Sequence, residues 1–467
     1  MSYGIPEELT YESLNRLYPS VKSEYRKNPI NGGSPFTSGD IQMRINKMQR
    51  SFLNPATLCL NFRVRHGFAN GTANILAIGS ESVSILGNAL SHYSQQVVKP
   101  VAGQWQDTIS YPGLISNTIM NLTTGANEKR SMISLGYNNS DIGLGPGYSN
   151  CGDVTTNSTA IPAVAGGIIT TGYTYKSYSV PIIGILNNHK LIPLFCDELQ
   201  LDFTLNNTDN FLVKSLTDAL VTHSWQIEDV EIIGDVLTLE EAGFNELLKM
   251  YPNGMSIKSE SYLYGTSSLS AQAKGSYDIT YSHGLNSLKK FIWWASPTNQ
   301  WEYKYGGVNP NLQNWQLMIG STAYPQLPVK SYSVAEQFYQ NQKSFGAFMS
   351  TSHCGSCDRS NMTKCSAPVV GSKFTSEFST YTQAKPTAAN MLLAANSNKY
   401  YCSLDLELIN QLKNSLYSGI STKGASNLLR LTVAETLADV VHNITFYSVY
   451  DAVITFDWVN GQIFSST

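Results

Sequence analysis

Val221-Thr222-His223-Ser224-Trp225-Gln226-Ile227 and Val440-Val441-His442-Asn443-Ile444-Thr445-Phe446 share a valine, a histidine and an alternating run behind them. They stand about 220 residues apart, and each opens the strand-rich close of one half of the chain. The echo is loose, but it points to two similar β domains in tandem. Such an arrangement suits assembly more readily than chemistry.

Composition agrees. A chain of 467 residues exceeds one comfortable hydrophobic core and should divide into about two or three domains. Only 14% of residues are charged and the formal net charge is -3, which argues against a surface built to hold nucleic acid by counterion release. The polar content comes instead from Ser, Thr, Asn, Gln and 27 Tyr. That mixture fits solvent-facing strands, long loops and wet contacts between subunits, as in shells, adhesins and secreted lectins.

Met1-Ser2-Tyr3-Gly4-Ile5-Pro6-Glu7-Glu8 carries no basic region followed by an apolar core, so no secretory leader is read there and synthesis in the cytosol is expected. No window reaches the roughly 18 uninterrupted apolar residues of a membrane span. Even residues 182–195 are broken by Asn187, Asn188, His189, Lys190 and Pro193, so a membrane-spanning protein is not expected.

Residues 1–40 read as a polar N-terminal arm and linker, with helical tendency over 7–17 and a Pro, Gly and Ser-rich stretch over 28–39. A first β domain is expected over 41–237. Leu58-Cys59-Leu60-Asn61-Phe62-Arg63-Val64 is its clearest alternating strand, and further strands are expected over 178–185, 191–195, 198–205 and 225–236. Residues 125–172, rich in Gly, Asn, Ser and Thr, read as long loops. A helical connector over 238–255 follows, with Thr238 as cap and Glu241 at capping-box distance.

The second domain, 256–467, repeats the pattern with strands and loop insertions. Ser287-Leu288-Lys289-Lys290-Phe291-Ile292-Trp293-Trp294-Ala295 is so apolar that both faces of its strand should be covered. Pro325 and Pro328 force residues 324–329 into extended backbone. Residues 333–345 switch to helical spacing, with Val334, Phe338 and Phe345 on one face and Ser333 and Gln337 as candidate caps, an inserted decoration among strands. Each half offers about seven or eight antiparallel-style strands, the inventory of a jelly roll. The expected fold is therefore all-β: two tandem jelly-roll sandwiches with short helical insertions and long loops.

No catalytic or cofactor residues are singled out. GxxxxGK[ST], GxSxG, HExxH and the EF-hand loop are all missing. His66, His92, His189, His223, His283, His353 and His442 show no metal-like pairing, and His223 and His442 read as structural. Asp197-Glu198, Glu228-Asp229 and Asp405 with Glu407 can be imagined as glycosidase-like pairs, but acidic neighbours at strand ends are ordinarily solvated edges. Trp293-Trp294 and Trp301-Glu302-Tyr303-Lys304-Tyr305 can form a sugar-stacking platform; core packing and subunit contact are the plainer readings. Lys289 and Lys290 are too few for a nucleic-acid patch.

Seven cysteines in a chain of this length do not suggest a disulfide scaffold. Cys354, Cys357 and Cys365 leave zinc binding, an opportunistic disulfide and ordinary loop thiols all open. The sequons at Asn70, Asn121, Asn138, Asn157, Asn206, Asn361 and Asn443 read as chance in an Asn-rich chain.

Ser287-Leu288-Lys289-Lys290-Phe291-Ile292, Leu317-Met318-Ile319-Gly320, Pro325 with Pro328, the helix Ala335-Glu336-Gln337-Phe338-Tyr339 and the ending Phe446-Tyr447-Ser448-Val449-Tyr450-Asp451-Ala452-Val453-Ile454 together resemble the double jelly-roll major capsid proteins of small eukaryotic DNA viruses. The likeness runs toward polinton-like viruses, adintoviruses and virophages, and is best in the second half. It implies a structural, non-enzymatic protein without cofactor or metal, whose homotrimers form pseudo-hexagonal capsomers tiling an icosahedral virion. Neighbouring capsomers, penton proteins and minor capsid proteins are the implied partners, and specific nucleic-acid binding is not. By the same likeness, the N-terminal arm faces the particle interior or bridges capsomers. The competing readings are a carbohydrate-binding adhesin, a jelly-roll glycan-active protein, or a minor capsid component.

Overall fold

The computed structural model describes residues 20–32, 35–69, 75–76, 83–85, 88–103, 105–124, 155–156, 174–188, 190–206, 213–215, 222–270, 275–297, 307, 312–331, 334–345, 400–408, 417–433 and 441–466. The helix expected over 7–17, nearly all of the loops expected over 125–172, the aromatic group at 301–305 and the cysteines at 354, 357 and 365 lie outside them.

The first half is a sandwich of β1 (Ser20–Lys27), β2 (Asp40–Ile45), β3 (Ser51–Ala69), β4 (Tyr93–Pro100), β5 (Asp107–Ser110), β6 (Thr174–Pro181), β7 (Leu199–Leu205) and β8 (Thr222–Leu239). One sheet runs β1-β8-β3-β6 and the facing sheet β2-β7-β4-β5, with antiparallel pairing throughout. First strand thus pairs with eighth, second with seventh, third with sixth and fourth with fifth, a long hairpin rolled into a jelly roll.

The second half uses β9 (Met255–Leu269), β10 (Gly275–Tyr281), β11 (Leu288–Pro297), β12 (Leu312–Ile319), β13 (Thr322–Lys330), β14 (Cys402–Asp405), β15 (Asn427–Val433) and β16 (His442–Asp457). Its sheets run β9-β16-β11-β14 and β10-β15-β12-β13, the same orders carried eight strands on. The Val and His echo therefore marks equivalent strands: β8 and β16 each close a jelly roll and each pair with its first and third strands.

The helices obey the same repeat. α1 (Pro112–Thr123) follows β5, and α3 (Val334–Ser344) follows β13, so the helix read as a decoration is one of an equivalent pair. α1 carries no acidic residue in its first turn and no side-chain cap, and these missing signals hide it in the sequence. Pro112 at its start, with φ already set for helix, is the one local cue. α2 (Glu241–Met250) connects the halves.

Several details depart from expectation. Residues 20–27, assigned to the arm, form the edge strand β1, in register with β8 from Ser20 opposite Leu239 to Lys27 opposite Ile232. Its exposed Lys22, Glu24 and Arg26 give it the polarity of a linker, yet pairing with β8 needs only backbone groups. Phe36 is buried and bridges Ile227 through two main-chain hydrogen bonds, so this residue of the stretch assigned to the linker packs with the first sandwich. Thr238 does not cap α2: it is still in β8, its hydroxyl 2.9 Å from that of Ser51, and Glu240 holds the cap position.

Candidate functional site

Among the described residues the best defined contact is the seam between the sandwiches. β5 and α1 of the first half lie against the β9-β16-β11-β14 sheet of the second. Tyr447 Oη donates to the main-chain oxygens of Ser110 at 3.1 Å and Tyr111 at 3.2 Å. Asn121 Nδ2 donates to Tyr401 Oη at 3.2 Å, and Trp105 Nε1 to Ile463 O at 2.8 Å. The rings of Tyr111 and Tyr264 meet edge to face at 5.1 Å. Tyr111 holds φ 50° to turn the chain from β5 into α1. Phe195, Phe244 of α2 and Trp458 form an aromatic relay across the connector, with centroids 4.8 and 5.7 Å apart.

This seam explains why β11 is apolar on both faces. Trp293 packs edge-on against Trp315 of the facing sheet at 5.5 Å. Trp294 meets Tyr401 at 5.6 Å and stacks on Tyr447 at 6.0 Å, beside the first half. Both indoles are fully buried, so they pack the core and seam and present no sugar platform.

Asp107 sits in the same seam. Burial pushes its carboxyl above the usual range, against hydrogen bonds from Ser261, the Ile185 N–H and Tyr450.

A second feature is a buried charge cluster in the second sandwich. Lys289 Nζ contacts Glu260, lies 2.9 Å from Glu407 Oε1 and 3.7 Å from Asp451 Oδ1; Lys258 Nζ is 3.2 Å from the same Asp451 oxygen. Asp451 Oδ2 accepts from Ser287 Oγ at 2.6 Å and from the Ser418 N–H at 2.7 Å. Burial opposes the charge on Asp451, but these hydrogen bonds and the two lysines outweigh it and hold the carboxyl below its usual range. For Lys289, burial is likewise overcome by Glu260 and Glu407, and its pKa is raised. The cluster pins the chain at 417–420 onto the sheet, where Ile420 bridges Leu288.

α3 is held by a polar face, where the sequence suggested an apolar one. Gln337 and Asn341 are buried while Phe338 and Phe345 are half-buried. Gln337 is therefore no cap. Its Oε1 accepts from Trp315 Nε1 at 2.8 Å and its Nε2 donates to Asn341 Oδ1 at 3.2 Å. Asn341 in turn donates to Tyr401 O at 2.9 Å and accepts from the N–H and hydroxyl of Ser403. Amides in an apolar spacing pattern carry no sequence signal for this role.

The candidate carboxylates are engaged structurally. Asp197 accepts from the N–H groups of Ala102 and Glu198, Glu228 and Asp229 both meet Arg63, and Asp405 accepts from the Glu407 N–H. Glu407 belongs to the lysine cluster. His92 is buried against Ala89 O at 2.8 Å. His283 lies 2.8 Å from Ser448 Oγ, and burial lowers its pKa to about 4, so it is neutral at pH 7. Lys290 lies over the Phe345 ring at 5.2 Å. The sequon amides of Asn121 and Asn206 are buried, the latter donating to Ser91 O. Cys59, Cys196 and Cys402 are free thiols, and burial raises Cys196 to about 12. Among the described residues no group of His, Cys, Asp and Glu is arranged to hold a metal, and no helix is long and apolar enough to cross a membrane.

Two jelly rolls of one topology, joined by a helix and sharing a seam, define the double jelly-roll class. No protein-family model matches the sequence, and no curated protein matches it. Solved structures do match. A chain of the Sputnik virophage, determined by cryo-EM, superposes with a TM-score of 0.56 at 12% identity, over 100% of this chain and 92% of that one. The Faustovirus major capsid protein gives 0.55 at 8% identity, covering 96% and 92%. The mavirus major capsid protein gives 0.52 at 10% identity, covering 100% and 95%. The chain has the double jelly-roll fold of these proteins along essentially its whole length.

Proposed function

We propose that this chain is the major capsid protein of an icosahedral virus, a structural protein that works through its interfaces. The observation that carries this reading is the end-to-end match: both jelly rolls and their connector superpose on single chains from viral capsids, with little left over on either side. Three chains, each with two equivalent sandwiches, supply six similar units around a threefold axis, so one gene product occupies a hexagonal position. The homotrimer is the capsomer; neighbouring capsomers, penton proteins and minor capsid proteins are its partners, and the virion its location. The low charge supports a shell wall that encloses nucleic acid without specific binding.

Negative-stain microscopy and mass measurement of the purified chain test this. Uniform pseudo-hexagonal particles of trimer mass are expected. A chain that remains monomeric at high concentration would overturn the reading.

A further inference from the structure

Two buried carboxylates of this chain are held in opposite ways. Asp451, in the second sandwich, has two lysines within 3.7 Å. Asp107, at the start of β5, is 4% exposed and meets no cation among the described residues. Its Oδ1 accepts from Ser261 Oγ of β9, its Oδ2 from the Ile185 N–H at 3.1 Å, and Tyr450 of β16 is its third donor. Ser261 and Tyr450 stand opposite each other across β9 and β16. Asp107 therefore ties the first sandwich to two strands of the second at one point.

The chain is shaped around this carboxyl. Gly184 takes φ 90°, and a Cβ there would stand 2.9 Å from Asp107 Oδ2, so glycine is what lets the Ile185 N–H approach. The other two partners are hydroxyls, which accept as readily as they donate. An ionised Asp107 accepts from both. A protonated Asp107 keeps the Ile185 N–H on one oxygen and turns its own O–H toward Ser261 or Tyr450, so neither form strands a polar group. A carboxylate held by lysines, as Asp451 is, has no such alternative.

The surroundings favour the protonated form. Tyr450 of β16 and Tyr262 of β9 are the titratable groups that face Asp107, and burial raises both, so they stay neutral. Glu260, beside Ser261 in β9, is negative and is served by Lys290 and Lys289. β4 sets Val98 opposite Asp107, and the loop at its Oδ2 brings Gly184 and Ile185, which carry no charge. Burial with no cation to offset it favours the neutral acid, and the carboxyl titrates above its usual range for that reason.

We propose that Asp107 makes the seam a proton-operated joint: in mildly acidic surroundings it takes up a proton from solvent, and the two sandwiches then hold each other more tightly than at neutrality. A carboxyl raised in the folded state gives stability that is complete below its unfolded pKa of about 4 and is lost as pH rises through the folded value. The Asp451 cluster responds with the opposite sign. The joint lies within one chain and needs no partner copy.

The test compares the full chain with Asp107→Asn, which has the shape of the protonated acid and keeps one oxygen for Ile185. At about pH 7.5 the unfolding equilibrium constant of the wild type in urea should exceed that of the variant by about threefold or more, and the gap should close as pH falls toward about 4.5. Losses from the Asp451 cluster are common to both proteins and cancel. A gap that stays constant with pH, or a wild type more stable than the variant at neutrality, would overturn the joint. Infrared spectra of the wild type carrying ¹³C-labelled aspartate test it without any substitution: a protonated aspartyl band should persist at about pH 5.5, where an ordinary aspartate is ionised. Its absence would equally overturn the joint.

Discussion

Tyr447 in β16 of the second sandwich donates its hydroxyl proton to the main-chain oxygen of Ser110 in the first, 3.1 Å away. The ring beneath that hydroxyl stacks on Trp294, so one side chain packs the second core and ties it to its neighbour. The sandwiches are thereby coupled, and the chain should unfold with its halves in concert.

Tyr447→Phe keeps the ring and removes the hydroxyl, leaving the oxygens of Ser110 and Tyr111 without this donor. A loss of about 1–2 kcal/mol is expected. Urea unfolding followed by tryptophan fluorescence measures it, and an unchanged midpoint would show that water replaces the bond at no cost.

Lys289→Met removes the cation shared by Glu260, Glu407 and Asp451, leaving Glu407 without its lysine while Asp451 keeps Lys258. Breaking a buried ion pair from one side costs about 3–5 kcal/mol, and the lower end is expected because Glu260 is partly open to water. Replacing Glu407 by Gln should cost less, since Lys289 keeps two acidic partners. If the two variants prove equally stable, the cluster does not depend on Lys289 as its hub.

The same cluster sets an acid limit. Asp451 is held below its ordinary pKa as described, and at Glu260 burial is outweighed by Lys290 and Lys289. A carboxyl lowered in the folded state stabilises fully above its unfolded pKa of about 4 and loses that stabilisation as pH falls through the folded value. The melting temperature should therefore hold near neutrality and fall below about pH 4. In Asp451→Asn it should start lower at pH 7 and decline less steeply with acid. Parallel curves for the two proteins would assign the acid limb to other groups.

Much of this architecture is legible from residue pattern. Alternation at Leu199, Leu201, Phe203 and Leu205 announces a strand, and all four side chains are buried. The unbroken apolar run at Phe291, Ile292, Trp293 and Trp294 announces a strand covered on both faces, though not what covers it: Trp315 lies on one side and Tyr401 and Tyr447 on the other, and those two tyrosines hydrogen-bond to the first half, far away in the chain. β1 escapes notice because an edge strand needs no apolar face to pair its backbone. The charge cluster is illegible for another reason. Lys258, Glu260, Lys289, Glu407 and Asp451 meet only when β9, β11 and β16 are in register, a long-range fact that no local spacing encodes. For the same reason, buried Gln337 and Asn341 look like solvent residues until Trp315 and Ser403 are brought beside them.

That amide pair gives a last prediction. Asn341→Leu has similar bulk but strips the hydrogen bonds from Tyr401 O and from both the N–H and hydroxyl of Ser403, and leaves Gln337 Nε2 without its acceptor. Losing a buried partner costs about 1–3 kcal/mol per group left unpaired, so a loss of at least about 2 kcal/mol is expected. The damage should concentrate where α3 meets β14, and hydrogen exchange should quicken at Ser403 before it quickens in the distant β2-β7-β4-β5 sheet. Exchange that quickens evenly across both sandwiches would mean that the amide pair stabilises the molecule as a whole and not this junction.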